Sequence, residues 1–80
     1  MIKSGDYVLV RSIPDTDPGD YTYVLPAWAR TIYFSYFGGY DITIDFGDDK
    51  YWGVGNKDLV PEAEITDEQW AELAKWRLSQ

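Results

Sequence analysis

The stretch YDITIDFGDDKYWGV, Tyr40 to Val54, holds the most regular pattern in the chain. Tyr40, Ile42, Ile44 and Phe46 alternate with Asp41, Thr43 and Asp45. Strict alternation marks a strand with one buried face, because successive side chains of a strand point to opposite sides. Gly47-Asp48-Asp49 then turns the chain, and Lys50 to Val54 returns as a second strand. The stretch therefore predicts a hairpin with an apolar ladder turned inward and a row of polar groups, Asp41, Thr43 and Asp45, turned outward.

Working upstream, Gly38-Gly39 is a two-residue hairpin connection, since glycine supplies the positive φ that tight turns need. It joins the ladder strand to a preceding one, Trp28 to Phe37. Neither face of that strand is cleanly polar, as expected in a strongly curved sheet. Tyr21 to Leu25 has strand composition but ends against Pro26, which bars a central strand from continuing. Ser12 to Tyr21, with two prolines and several turn-forming residues, reads as a loop long enough to be functional. Tyr7 to Val10, entered through a Ser-Gly-Asp turn, reads as the first strand. Downstream, Gly55 to Asp58 is a turn, and Leu59-Val60-Pro61 is a short strand stopped by its proline. Thr66 and Gln69 stand as the two halves of a capping box, with Ile65 and Trp70 as a hydrophobic staple. A helix from Asp67 to Leu78 is expected, with Trp70, Leu73, Ala74 and Arg77 or Leu78 on its apolar face and Trp76 away from it.

An 80-residue chain closes one core. It has no cysteine and no histidine, so the usual zinc ligands and the commonest nucleophile–base pairs are missing. No run is apolar enough to span a membrane, and Met1-Ile2-Lys3-Ser4 lacks the core of a signal peptide, so a cytoplasmic location is expected. Fourteen acidic against seven basic residues give a net charge of −7, which repels phosphate backbones and steers basic partners inward. The same charge also serves solubility alone. Four Trp, seven Tyr and three Phe are far more large rings than a disordered chain carries.

The order of strands, together with GDYVLV (Gly5 to Val10), WARTI (Trp28 to Ile32) and YDITIDFGDDKYWGVGNKDLVP (Tyr40 to Pro61), resembles the SH3-like small barrels of the Tudor and agenet type. The resemblance covers roughly Gly5 to Pro61. It implies a mainly β, SH3-like (Tudor-like) barrel of about five strands over residues 1–61. Residues 62–80 would be a C-terminal α-helical extension packed on that barrel, in a single domain overall. YTYVLPAW and the capped helix are additions to the family's minimal pattern.

Tudor-like domains hold methylated lysine or arginine in aromatic cages, where ring faces attract a weakly hydrated cation. By that resemblance the cage positions would be Trp28, Tyr33, Phe46 and Trp52, with Asp48 or Asp49 as the acidic partner. The alternative is that these rings fill the core of a small barrel. Asp41, Asp45, Asp48 and Asp49 form a candidate recognition face for Lys or Arg, or else a solvated outer face. Trp76, off the apolar stripe, is a candidate partner anchor, although a wide helix contact would bury it equally well. Asp15 to Asp20 has carboxylates spaced somewhat like a calcium loop, but Pro26 stands where the closing Glu belongs, so no metal site is expected. No catalytic constellation and no cofactor are indicated. The expectation is a non-enzymatic protein-interaction module that binds a basic protein or peptide and neither nucleic acid nor membrane. One form of it is an inhibitor of the kind phages and mobile elements encode, occupying the positive channel of a nucleic-acid-binding enzyme. The alternatives are a Tudor-like reader of methylated Lys or Arg, and a structural subunit of a larger assembly.

Overall fold

The computed structural model of the chain describes residues 2–13, 24–33, 42–47 and 50–80. They form four strands and one helix: β1 (Tyr7–Val10), β2 (Ala27–Tyr33), β3 (Ile42–Asp45), β4 (Tyr51–Val54) and α1 (Asp67–Leu78). The strands build one antiparallel sheet in the order β1-β2-β3-β4. The protein is mainly β, with a C-terminal helix. Residues 14–21 of the expected loop, 21–23 of the expected Tyr21 to Leu25 strand, 34–37 of the expected Trp28 to Phe37 strand, the Gly38-Gly39 hairpin, Tyr40, Asp41 and Asp48-Asp49 lie outside the described residues.

The hairpin of the Tyr40 to Val54 stretch is formed, with Ile42 opposite Val54 and Ile44 opposite Trp52. Gly47, at φ +97, takes the left-handed conformation that lets the chain turn between β3 and β4. Ile42, Ile44 and Phe46 are buried with Val8, Val10, Ala29, Trp52, Val54 and Leu59, and Ile2, Ile13, Leu25 and Ala27 pack around them. This is the principal core, and it lies on one face of the sheet.

The opposite face is covered as well. Leu9, Trp28 and Leu73 form a second buried cluster, flanked by Tyr7, Val60, Ile65 and Trp76. Residues of β1 alternate between the two clusters, Val8 and Val10 to one and Leu9 to the other, as the two-residue period of a strand requires. Asp41, Thr43 and Asp45 are expected as one outward polar row, either a recognition face or a solvated one. Of the two that are described, Thr43 is 3% exposed and Asp45 is half-buried.

The fifth strand is reduced to a single antiparallel bridge between Val10 and Leu59. Val60 N–H donates to Leu9 O and Arg11 N–H to Asp58 O, each at 2.8 Å. Pro61 brings no N–H to the next rung, so the pairing stops there. Asp58 is buried, and each of its carboxylate oxygens is used. One accepts from Ser12 Oγ at 2.8 Å and the other from the Gly55 amide at 2.9 Å. Arg11 adds two donations, from Nε and Nη2, to the Lys57 carbonyl. These bonds fasten the turn after β4 to the end of β1.

The helix begins where its capping box places it. Thr66 Oγ1 accepts from the Gln69 amide at 3.2 Å, and Gln69 Oε1 accepts from the Thr66 amide at 2.9 Å. Its contact face differs from the expected stripe. Leu73 is the buried residue, Trp76 is half-buried against the sheet, and Leu78 is 88% exposed. At 100° per residue Leu78 stands about 140° from Leu73, whereas Gln69, Trp76 and Gln80 stand within about 60° of it. The helix is thus rotated toward the row that places Trp76 on the sheet. Trp28 helps to fix this rotation, since its Nε1–H donates to the Gln69 carbonyl at 2.9 Å.

Replacing Thr66 by Ala removes one half of the capping box and should lower the unfolding free energy by about 1 kcal/mol. Leu73→Ala, which opens the second cluster, should cost about 2–5 kcal/mol. Urea titration followed by tryptophan fluorescence measures both. A Leu73→Ala loss no larger than that of Thr66→Ala would mean that α1 is not docked on the sheet.

Candidate functional site

Two of the residues singled out from the sequence meet in space. Asp45, at the end of β3, and Trp76, in the last turns of α1, line a crevice of about 260 Å³ together with Tyr7, Arg30 and Gln80. Each element supplies its residue by register. Arg30 and Asp45 are direct partners across β2 and β3, and Tyr7 pairs with Arg30 from β1, so Tyr7, Arg30 and Asp45 form a row across three strands. The end of α1 then lies beside that row.

The aromatic part is held rigidly. Tyr7 and Trp76 meet edge to face, with ring centroids 5.6 Å apart and planes at 85°, a geometry the ring quadrupoles favour. The Arg77 guanidinium sits 4.8 Å from the centroid of the Tyr7 ring, so one face of that ring already holds a cation. The acidic part is Asp45, whose Oδ1 accepts from the Gly47 amide at 2.7 Å. That bond fixes the carboxylate, and among the described residues no donor bonds Oδ2. Arg30 faces Asp45 across the ladder, yet among the described residues no ion pair joins the two. A fixed carboxylate beside packed rings suits the head of a lysine or arginine side chain, which needs charge for the cation and apolar surface for its stem.

The other sequence candidates are placed as follows. Asp41, Asp48 and Asp49 lie outside the described residues. Tyr33 ends β2, and only its backbone is described. Trp28, Phe46 and Trp52 are all buried, and they do not converge. Trp28 belongs to the cluster beneath α1, while Phe46 and Trp52 belong to the core on the opposite face of the sheet. A single cage containing all three rings is therefore not formed: Trp28 pairs with Leu9 and shares its cluster, whereas Trp52 pairs with Ile44 and shares the other. Among the described residues there is no group of three or more potential metal ligands, and no helix long and apolar enough to cross a membrane.

Sequence reasoning missed Tyr7, Arg30 and Gln80. The signal for Arg30 was present in its alternation with Trp28 and Ile32, but its pairing with Asp45 depends on a register shift in β2 between Thr31 and Tyr33. Such an irregularity leaves no mark that the period-two pattern can reveal. Comparison with known proteins finds no matching family, no matching curated protein and no matching solved structure.

Thr43, two residues from Asp45 in β3, is buried with its hydroxyl lacking a hydrogen-bond partner among the described residues. A buried polar group in that state costs about 1–3 kcal/mol, so Thr43→Val, which keeps the shape, should raise stability by about 1 kcal/mol. Thermal and urea denaturation measure the change. A loss of stability would show that the hydroxyl is bonded in solution.

Proposed function

We propose that this protein is a non-enzymatic interaction module that binds a basic protein surface or peptide, with the Asp45–Trp76 crevice as its described contact point. The observation that carries this reading is the meeting of Asp45 and Trp76, distant in sequence, in one crevice whose carboxylate is oriented and whose rings are locked. The net charge of −7 adds long-range attraction for a basic partner and repulsion of nucleic acid. Asp41, Asp48 and Asp49, close to Asp45 in sequence, add acidic charge to this part of the chain. An inhibitor that enters the positively charged channel of a nucleic-acid-binding enzyme, in the cytoplasm, is the form of this function that best uses so acidic a small body.

The SH3-like barrel of the Tudor type is our reading of the fold in finer terms. It is supported by the β1-β2-β3-β4 meander and by the return of Leu59 to the free edge of β1, which is the step that begins to close a sheet into a barrel. No observation favours the methyl-lysine reader over the basic-surface binder, since the three described rings of the candidate cage are buried and divided between two faces.

The test uses Asp45→Asn, which removes the charge but keeps an oxygen for the Gly47 amide. The control is Glu72→Gln, an exposed position on α1. A fluorescent lysine-rich peptide is titrated by anisotropy at low salt and at salt near physiological strength. Affinity should fall several-fold, roughly 3- to 10-fold, with Asp45→Asn and much less with Glu72→Gln, and should weaken as salt rises. Equal losses for the two variants would reduce the binding to net charge and overturn the crevice as its site.

A further inference from the structure

A second hollow is larger than the crevice. A groove of about 620 Å³ runs along the outer edge of β1, between Gly5 to Leu9 on one side and Leu59 to Ile65 with α1 on the other. Its volume falls within the range of about 300–1,000 Å³ typical of ligand sites. We infer that this groove takes an extended, basic segment of a partner polypeptide, which adds as a strand to the open end of β1. The inference rests on the reading of the partner as a basic protein and adds how its chain is held.

The backbone direction follows from the hydrogen bonds. Thr31 N–H donates to Asp6 O at 2.8 Å. In an antiparallel ladder bonding groups alternate, so the Asp6 carbonyl and the amides and carbonyls of Val8 and Val10 face β2, while Tyr7 and Leu9 direct theirs to the outer edge; the Asp6 amide is used within the preceding turn, on Lys3 O. The donation from Val60 N–H to Leu9 O agrees with this alternation. Leu59 and Val60 thus occupy the edge near Val10 and Leu9. Beyond Pro61 the chain leaves β1 and folds into a short turn, Glu62–Glu64, before α1. Among the described residues no backbone group pairs with the Tyr7 N–H and C=O on the groove side, the arrangement that accepts an added strand.

The walls suit such an occupant. Leu9, Leu59 and Leu73 are buried at the base. Trp70 lines the groove and is 39% exposed, yet it is braced against Trp28 with centroids 5.3 Å apart. An exposed ring that is already fixed loses little freedom on binding. A Cβ added at Gly5 would meet nothing within 4 Å, so the approach along the strand start is open. Asp6 and Glu62 bring carboxylates to the groove, against the single cation Arg77. Arg77 already lies over the Tyr7 ring. With net charge −7 behind them, these groups select a basic segment over an acidic one.

The test uses a capped hexapeptide of alternating Lys and Val, together with two analogues N-methylated at odd or at even positions, titrated into the ¹⁵N-labelled protein. Strand addition uses the amides on one edge of the peptide only. One analogue should therefore bind about tenfold or more weaker than the parent and the other nearly as well, with the largest shifts at the Tyr7 and Leu9 amides. Glu62→Lys should weaken the parent peptide and Glu72→Gln, outside both hollows, should leave it nearly unchanged. Equal behaviour of the two analogues, or shifts centred on Asp45 and Gln80, would overturn the strand-addition site while leaving the acidic crevice standing. Absence of binding by any of the three peptides would overturn both readings.

Discussion

The burial of β1 on both faces is the constraint on which the rest of the structure depends. Val8 and Val10 enter the core built by β3 and β4, while Leu9 enters the cluster closed by Trp28 and Leu73. A chain of 80 residues has little apolar surface to divide between two cores. Here both are served by one strand of four residues, so the helix and the core side of the β3–β4 hairpin are coupled through it. The turn at Asp58 is fastened to the same strand by backbone and carboxylate bonds. Any displacement of β1 would disturb the sheet, the helix and that turn together.

Tyr7, at the start of this strand, is the wall shared by both hollows. Its side chain packs on Trp76 and beneath Arg77 in the crevice, while its backbone faces the groove at the strand edge. This division follows from strand geometry, in which side chains stand perpendicular to the sheet and peptide groups lie within it. A partner crossing from groove to crevice would meet peptide groups first and a carboxylate beside rings second, with one residue fixing the distance between them.

Local patterns were legible in the sequence wherever short-range geometry determined them. The alternation of Ile42, Ile44 and Phe46 announced β3, and Thr66 with Gln69 announced the start of α1, because each signal spans a few neighbouring residues. The direction of the helix was not legible. Leu78 is as apolar as Leu73, and only the docking of Trp76 and the bond from Trp28 to Gln69 decide which of the two is buried. For the same reason the ring set Trp28, Phe46 and Trp52 looked like one group along the chain and is split by the sheet into two. Of the candidate site, Asp45 and Trp76 were visible as residue types. Their company, Tyr7, Arg30 and Gln80, depends on cross-strand register and on where the helix ends.

Carboxylates of identical chemistry have different duties here, and the difference limits where recognition can occur. Asp58 is buried with both oxygens engaged, so it holds the turn together and has nothing to offer a partner. Asp45 uses Oδ1 to fix the turn at Gly47 and stays half-buried at the crevice wall. Beside it Arg30 lines the same crevice, and Arg77 stands over the Tyr7 ring. A basic partner is attracted by the molecule as a whole but repelled locally at these two points. It gains from the crevice only if its own cation comes to Asp45 while its other charges clear both arginines. Attraction at long range and repulsion at chosen positions is how an acidic surface discriminates among basic chains. The placement of these two arginines, which a net charge does not reveal, is therefore what would give this face its selectivity.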